Sequence, residues 1–197
     1  MYREETTRVR ADRRFVQYLP LNGQRQEMHE KAVDDLRFLI RRHGEEGAWL
    51  WDPYLGAMDV IKTLFHSPHH GADLRALSAG CPAPSDGSAW DDQCSISPDW
   101  PEQQQAIFDG VQSNWYGLRL EFRVRIGKAG WPFHDRFLIF PATDRGAQAW
   151  SLGTSLNGLG KQHHILQKVD DGQRIRDAFE ELWHQLDQPE HLVWRKP

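Results

Sequence analysis

A histidine and an arginine stand two residues apart in the run Phe133-His-Asp-Arg-Phe-Leu-Ile-Phe140. The apolar residues around them predict a β-strand from Phe133 to Phe140. Side chains two apart in a strand share a face, so His134 and Arg136 point the same way while Phe133, Phe137 and Ile139 point into a core layer. An imidazole beside a fixed cation suits a phosphate group. The guanidinium can hold two non-bridging oxygens as a fork, and the imidazole can attack phosphorus or carry a proton.

A second polar segment follows, Ser151-Leu-Gly-Thr-Ser-Leu-Asn-Gly-Leu-Gly160. Gly153, Gly158 and Gly160 allow a backbone to approach a ligand closely. Ser155 and Asn157, again two apart, can donate to a phosphate or orient the imidazole. Gly153 and Thr154 are the backbone and side-chain candidates for substrate contact on the same turn. Asp52 and Tyr54 join them as substrate-binding candidates, because Asp52-Pro53-Tyr54 closes a predicted strand, where open α/β sheets place ligands. The competing reading of that tripeptide is a plain strand-to-helix turn. Ser155 and Asn157 have their own plain reading as turn formers. No Walker sequence or nucleotide fingerprint is present.

The elements that must position these groups follow from periodicity. Ala32, Val33, Leu36, Leu39 and Ile40 recur at helical spacing, with Gly44 as the stop. Ala48 to Asp52 reads as a buried strand, Ala57 to Phe65 as a short helix, and Asp73 to Gly80 as a second strand. Strand, helix, strand predicts a parallel βαβ unit. Residues 81–98 form a loop rich in Pro, Ser, Gly and Asp. Asp99 with Glu102 and Pro101 predicts a capped helix start running to Trp115. Leu118, Leu120, Phe122, Val124 and Ile126 alternate with Arg119, Glu121, Arg123 and Arg125, a half-buried strand with a charged face. Further strands are predicted over Ala149–Leu152 and His164–Val169. Ile175, Phe179, Leu182 and Leu186 mark a closing helix. The expected organisation is an N-terminal helical extension over 1–45, one domain over 46–188 and a loosely held tail over 189–197.

With the motifs in view, the chain resembles the phospholipase D superfamily, whose half-site reads H-x-K followed four residues on by Asp, then G-S-x-N. It is most similar to single-motif bacterial members, many of them nucleases or defence-associated proteins. The resemblance implies an α/β sandwich with a mixed central sheet flanked by helices, covering about Ala48 to Leu186. It also implies a covalent nucleophile at His134, phosphate binding at Arg136, and a pocket completed by Ser155 and Asn157. The expected unit is a homodimer sharing one active site, with no cofactor and no metal. Three departures stand out: Arg136 replaces Lys, Pro141 occupies the Asp position with Asp144 out of register, and Thr154 is inserted before Ser155.

The bulk properties narrow the partners. The chain has 197 residues, a net charge of -4 and nine tryptophans. Such a charge argues against coating nucleic acid by bulk electrostatics, though a local basic groove built on Arg119, Arg123 and Arg125 would be compatible with it. That row has an equally simple reading as a solvated strand face partnered by Glu121. Trp131 and Trp150 are candidates for base stacking, against core and rim roles. His69-His70 and His163-His164 read as solvated histidines rather than metal ligands, since no carboxylate stands at supporting spacing. No apolar run approaches the ~18 residues of a membrane span, and no signal peptide is visible. Cys81 and Cys94 are expected to be reduced thiols in a cytoplasmic protein. Two function classes fit: a metal-independent phosphodiesterase acting on nucleic acid, or a non-catalytic phosphate or nucleic-acid binding module in an assembly with defence-system partner proteins. Lipid diester hydrolysis is less favoured, because no basic amphipathic helix stands out.

Overall fold

The structure, a computed structural model, describes residues 12–80, 96–111 and 117–196. It is an α/β sandwich with a mixed central sheet flanked by helices, the architecture that the resemblance implies. In chain order the elements are β1 (Phe15–Tyr18), α1 (Arg25–His43), β2 (Gly47–Trp51), α2 (Ala57–Lys62), β3 (Asp73–Ser78), α3 (Trp100–Asp109), β4 (Arg119–Val124), β5 (Phe137–Phe140), β6 (Gln148–Ser151), β7 (His164–Lys168), α4 (Gly172–Gln185) and β8 (Leu192–Arg195). The eight strands lie in the order β1-β7-β6-β5-β2-β3-β4-β8. The β2-β3 pair is parallel, as the βαβ reading predicts, β4 adds to β3 in parallel, and every other pairing is antiparallel.

Strand alternation sorts the apolar side chains into two cores. Leu50, Leu74, Ala76, Leu120, Phe122, Leu138 and Phe140 face α1, α2 and α3. Trp49, Trp51, Leu77, Phe137, Ile139 and Ala149 face α4 through Phe179, Leu182, Trp183 and Leu186. The central strands are buried on both faces, which is why β2 and β5 read as continuous apolar runs rather than alternating ones. Asp171 caps α4 by accepting from the Arg174 N–H at 3.0 Å. None of the helices among the described residues is long and apolar enough to cross a membrane.

Several expectations are corrected. The segment expected as a helical extension carries α1 and, ahead of it among the described residues, β1, which forms one edge of the sheet by pairing Phe15 with Gln167 and Tyr18 with His164. The C-terminal tail forms the other edge, where Phe122 opposes Trp194 and Trp194 stacks on Phe108 at 4.7 Å. Four-residue edge strands carry too little periodicity to be read, and their burial comes from partners distant in the chain. The helix expected from Asp99 to Trp115 ends at Asp109, and Asp99 makes no side-chain cap. The row of arginines on β4 is mixed: Arg119 is exposed, Arg125 is half-buried, and Arg123 is buried and ion-paired to Glu121, the partner expected, and to Asp187 at 2.6 Å. Trp150 is buried, with its Nε1 donating to the Arg13 carbonyl at 3.0 Å, so it cannot stack on a base. Cys81, Cys94 and the residues expected around Trp115 lie outside the described residues.

Candidate active site

The chain folds so that the end of β2, the approach to β5 and the turn after β6 meet at one end of the sheet. Register fixes this. Phe137 opposes Trp51 on one side and Ser151 on the other. Arg136, one residue ahead of β5, therefore lies level with Asp52, one residue past β2. The Leu152 N–H donates to the Arg136 carbonyl at 2.9 Å and carries the ladder to that level. Phe137 belongs to the α4 core, so the Arg136 side chain emerges on the opposite face.

Four of the expected site residues are joined by direct contacts. Arg136 Nε donates to Ser155 Oγ at 3.0 Å, and the Arg136 guanidinium lies 5.5 Å from the centre of the Tyr54 ring. Arg136 is half-buried, and among the described residues it has no carboxylate ion pair. Asp52 is fully buried. Its two oxygens are taken by backbone donors, the Tyr54 N–H at 2.9 Å and the Leu156 N–H at 2.7 Å. Burial pushes the Asp52 carboxyl up to about 6, although both N–H donors and Arg136 pull it back down. Both Asp52 oxygens are thus engaged by the chain's own backbone rather than presented at the surface.

The strand expected from Phe133 is shorter: β5 begins at Phe137, and His134 lies on an extended approach outside the ladder. His134 is exposed at the rim, two residues ahead of Arg136. Phe133 is buried and packs against Trp51 with ring centres 5.5 Å apart, which fixes the approach one residue from His134. The motif turn runs over Leu152–Gly160. Ser155 is buried, Asn157 is half-buried in a short 3-10 turn over Leu156–Gly158, Thr154 is half-buried, and Gly153 is exposed. Gly153 has φ +68°, and a Cβ there would meet the Ile165 carbonyl oxygen at 2.5 Å. Gly160 has the same φ, and a Cβ there would collide with the Met28 carbonyl of α1. Gly153 and Gly160 thus seat the turn closely against its neighbours.

One functional neighbour escapes the sequence reading. His164 is buried, stacked on Tyr18 at 4.6 Å. Its Nε2 accepts the Gly160 N–H at 2.8 Å, which assigns the ring proton to Nδ1, 3.0 Å from the Leu152 carbonyl that it reaches as donor. It therefore ties together the two ends of the motif turn, and burial pushes its pKa down. The available signal is its two-residue spacing from Leu166, which places both on the buried face of β7.

No protein-family model matches the chain, and no curated protein matches it. Among solved structures it is similar to polyphosphate kinase from Porphyromonas gingivalis, at 14% identity and a TM-score of 0.44. That comparison covers 92% of this chain and 23% of the kinase, so this chain spans about a quarter of that protein's length.

Proposed function

We propose that the protein is a metal-independent phosphodiesterase acting on nucleic acid. The observation that carries this reading is Arg136: a half-buried guanidinium, oriented by a hydroxyl and an aromatic ring, with no carboxylate in ion-pair contact among the described residues and only the enclosed Asp52 nearby. Such a charge is prepared for an external anion. His134 stands exposed two residues away, where it attacks phosphorus. A bond forms from the imidazole nitrogen to phosphorus, the bond to the leaving oxygen breaks, and that oxygen takes a proton from a second histidine. Water then cleaves the phosphohistidine. Arg136, Ser155 and Asn157 hold the non-bridging oxygens while their charge develops.

The second histidine comes from His134 of another copy of the chain across a two-fold axis, because two-fold symmetry brings the same surface of each subunit face to face. Light scattering at micromolar concentration should give about twice the chain mass. Excess His134→Ala protein should poison wild-type activity through mixed dimers, and a fully active monomer indifferent to the mutant excludes the shared site.

The motif departure at Pro141 takes nothing from this rim. Pro141 follows β5 at its far end, close to Gly47, a strand length away from Arg136. The competing reading, a binding module without turnover, is separated by one experiment. Purified protein should hydrolyse bis-p-nitrophenyl phosphate in millimolar EDTA, and folded His134→Ala should not. Wild-type rates in that variant refute the nucleophile, and diester binding without turnover establishes the module.

A further inference from the structure

We infer that Asp52 and His164 are positioning residues that clamp the turn carrying Ser155 and Asn157 from its two flanks. Asp52 holds the middle of the turn: its carboxylate bridges the Tyr54 N–H at the end of β2 and the Leu156 N–H between the two motif residues. His164 holds the base, donating to the Leu152 carbonyl and accepting from the Gly160 N–H. A third bond, His29 Nδ1 to the Leu159 carbonyl at 2.7 Å, ties the same turn to α1. Between the Asp52 and His164 anchors lies Ser155, whose hydroxyl in turn orients Arg136. Both side chains are buried and bond to the backbone of the turn, so each acts through the turn.

Both anchors depend on one protonation state. Asp52 must be ionised to accept on both oxygens, since a protonated carboxyl or an amide presents a donor to one of the two N–H groups. His164 must be neutral to accept at Nε2. Asp52 is faced by Arg136, which favours its ionised form, and by Asp59, which opposes it. His164 is faced by His163 and Tyr18, and His163 disfavours its charging. Burial raises Asp52 to about 6 and lowers His164, so acidification through pH 6 releases the Asp52 anchor, and protonation of His164 releases the other. The stability signs are opposite. A raised carboxyl contributes stability below its unfolded pKa and loses it as pH rises through about 6. A lowered imidazole contributes above its unfolded pKa and loses it as pH falls. Above pH 6 the protein thus keeps a buried carboxylate ionised against its own stability, which fits a group retained for the geometry of the turn.

Hydrogen exchange of single amides tests the clamp independently of turnover, and only its kinetic consequence rests on the phosphodiesterase reading. In wild type the Leu156 and Gly160 amides should be protected at pH 7.5. Leu156 should lose at least about tenfold of that protection by pH 5, while Leu138 and Phe140 in β5 keep theirs. Asp52→Asn should lose Leu156 protection at every pH and lower turnover of bis-p-nitrophenyl phosphate by about 10²-fold, the scale of a small misplacement. His164→Gln should lose Gly160 protection. Protection that ignores both pH and the substitutions overturns the clamp. So does wild-type turnover in Asp52→Asn alongside an inactive His134→Ala, which leaves the phosphodiesterase reading standing. Wild-type protein without turnover sinks that reading alone, with the exchange data still deciding the clamp. Should a variant fail to fold, the wild-type pH series decides between a clamp that opens in acid and a turn that stays closed without it.

Discussion

Arg123 and Arg136 each bring a guanidinium to the sheet, one on β4 and one just ahead of β5. Arg123 is neutralised on every side. Its Nε pairs with Glu121, its Nη2 reaches Asp187 at 2.6 Å, its Nη1 donates to the Trp183 carbonyl at 2.7 Å, and its plane lies 4.3 Å from the Trp183 ring centre. Arg136 has a similar aromatic neighbour in Tyr54 but a neutral hydroxyl where Arg123 has two carboxylates. A cation saturated by its own chain holds elements together, here β4 against the end of α4. A cation hydrogen-bonded to a hydroxyl, with a carboxylate near it but none in ion-pair contact, is left less fully neutralised. Residue type is the same in both places, and the partners decide the role.

The largest expected effect separates the two roles. Arg136→Ala should lower diester turnover by on the order of 10²–10³-fold, as for loss of one preorganised donor, with the thermal midpoint nearly unchanged. A large loss of stability with turnover intact would place Arg136 beside Arg123 as a structural residue. Arg123→Ala should do the reverse: lose about 1.5–3 kcal/mol by calorimetry or urea titration, the scale of a hydrogen bond to a charged group, since Glu121 keeps its pairing with Arg195, with turnover per folded molecule retained. Loss of turnover there without loss of stability would break the comparison from the other side.

A smaller effect tests whether a missing partner is by itself a mark of function. His43 lies at the end of α1, packed between Phe140 and Trp150, and its Nε2 is buried without a hydrogen-bond partner. Burial first, then Arg42 and Lys168, push its pKa down to about 4. The folded state therefore keeps His43 neutral while the unfolded chain protonates it from about pH 6.5 downward. Stability is present above that value and drains away as pH falls through about 4. His43→Leu should flatten this acid loss in urea midpoints measured between pH 7 and 4, and leave turnover at pH 7.5 unchanged. An unaltered pH profile would show that His43 is already charged in the fold. An unpartnered atom at that end of the sheet is a weak point of the core, unlike the open charge at Arg136.

The elements legible in the sequence are those whose burial is periodic within their own length. Leu36, Leu39 and Ile40 mark α1, the alternation from Leu118 to Val124 marks β4, and the β2-α2-β3 order carries the parallel crossover. The edge strands β1 and β8 are not legible, because four residues show no period and their partners β7 and β4 are remote in the chain. Within the site, the two-residue spacings of His134 with Arg136 and of Ser155 with Asn157 set out the candidate groups, and the contact of Arg136 with Ser155 is a product of the fold. The role of Asp52 is not legible, for a physical reason. A polar residue at a strand end faces a ligand or faces inward, and the donor that settles the choice, Leu156, lies 104 residues away.

The sequence by itself determined the periodic elements, the parallel crossover and the residues able to do phosphate chemistry, since these depend on side-chain type and local spacing. Only the tertiary structure decided which cations are neutralised, which polar groups are enclosed and which turn His164 holds, because hydrogen-bond partners and burial are set by neighbours far apart in the chain.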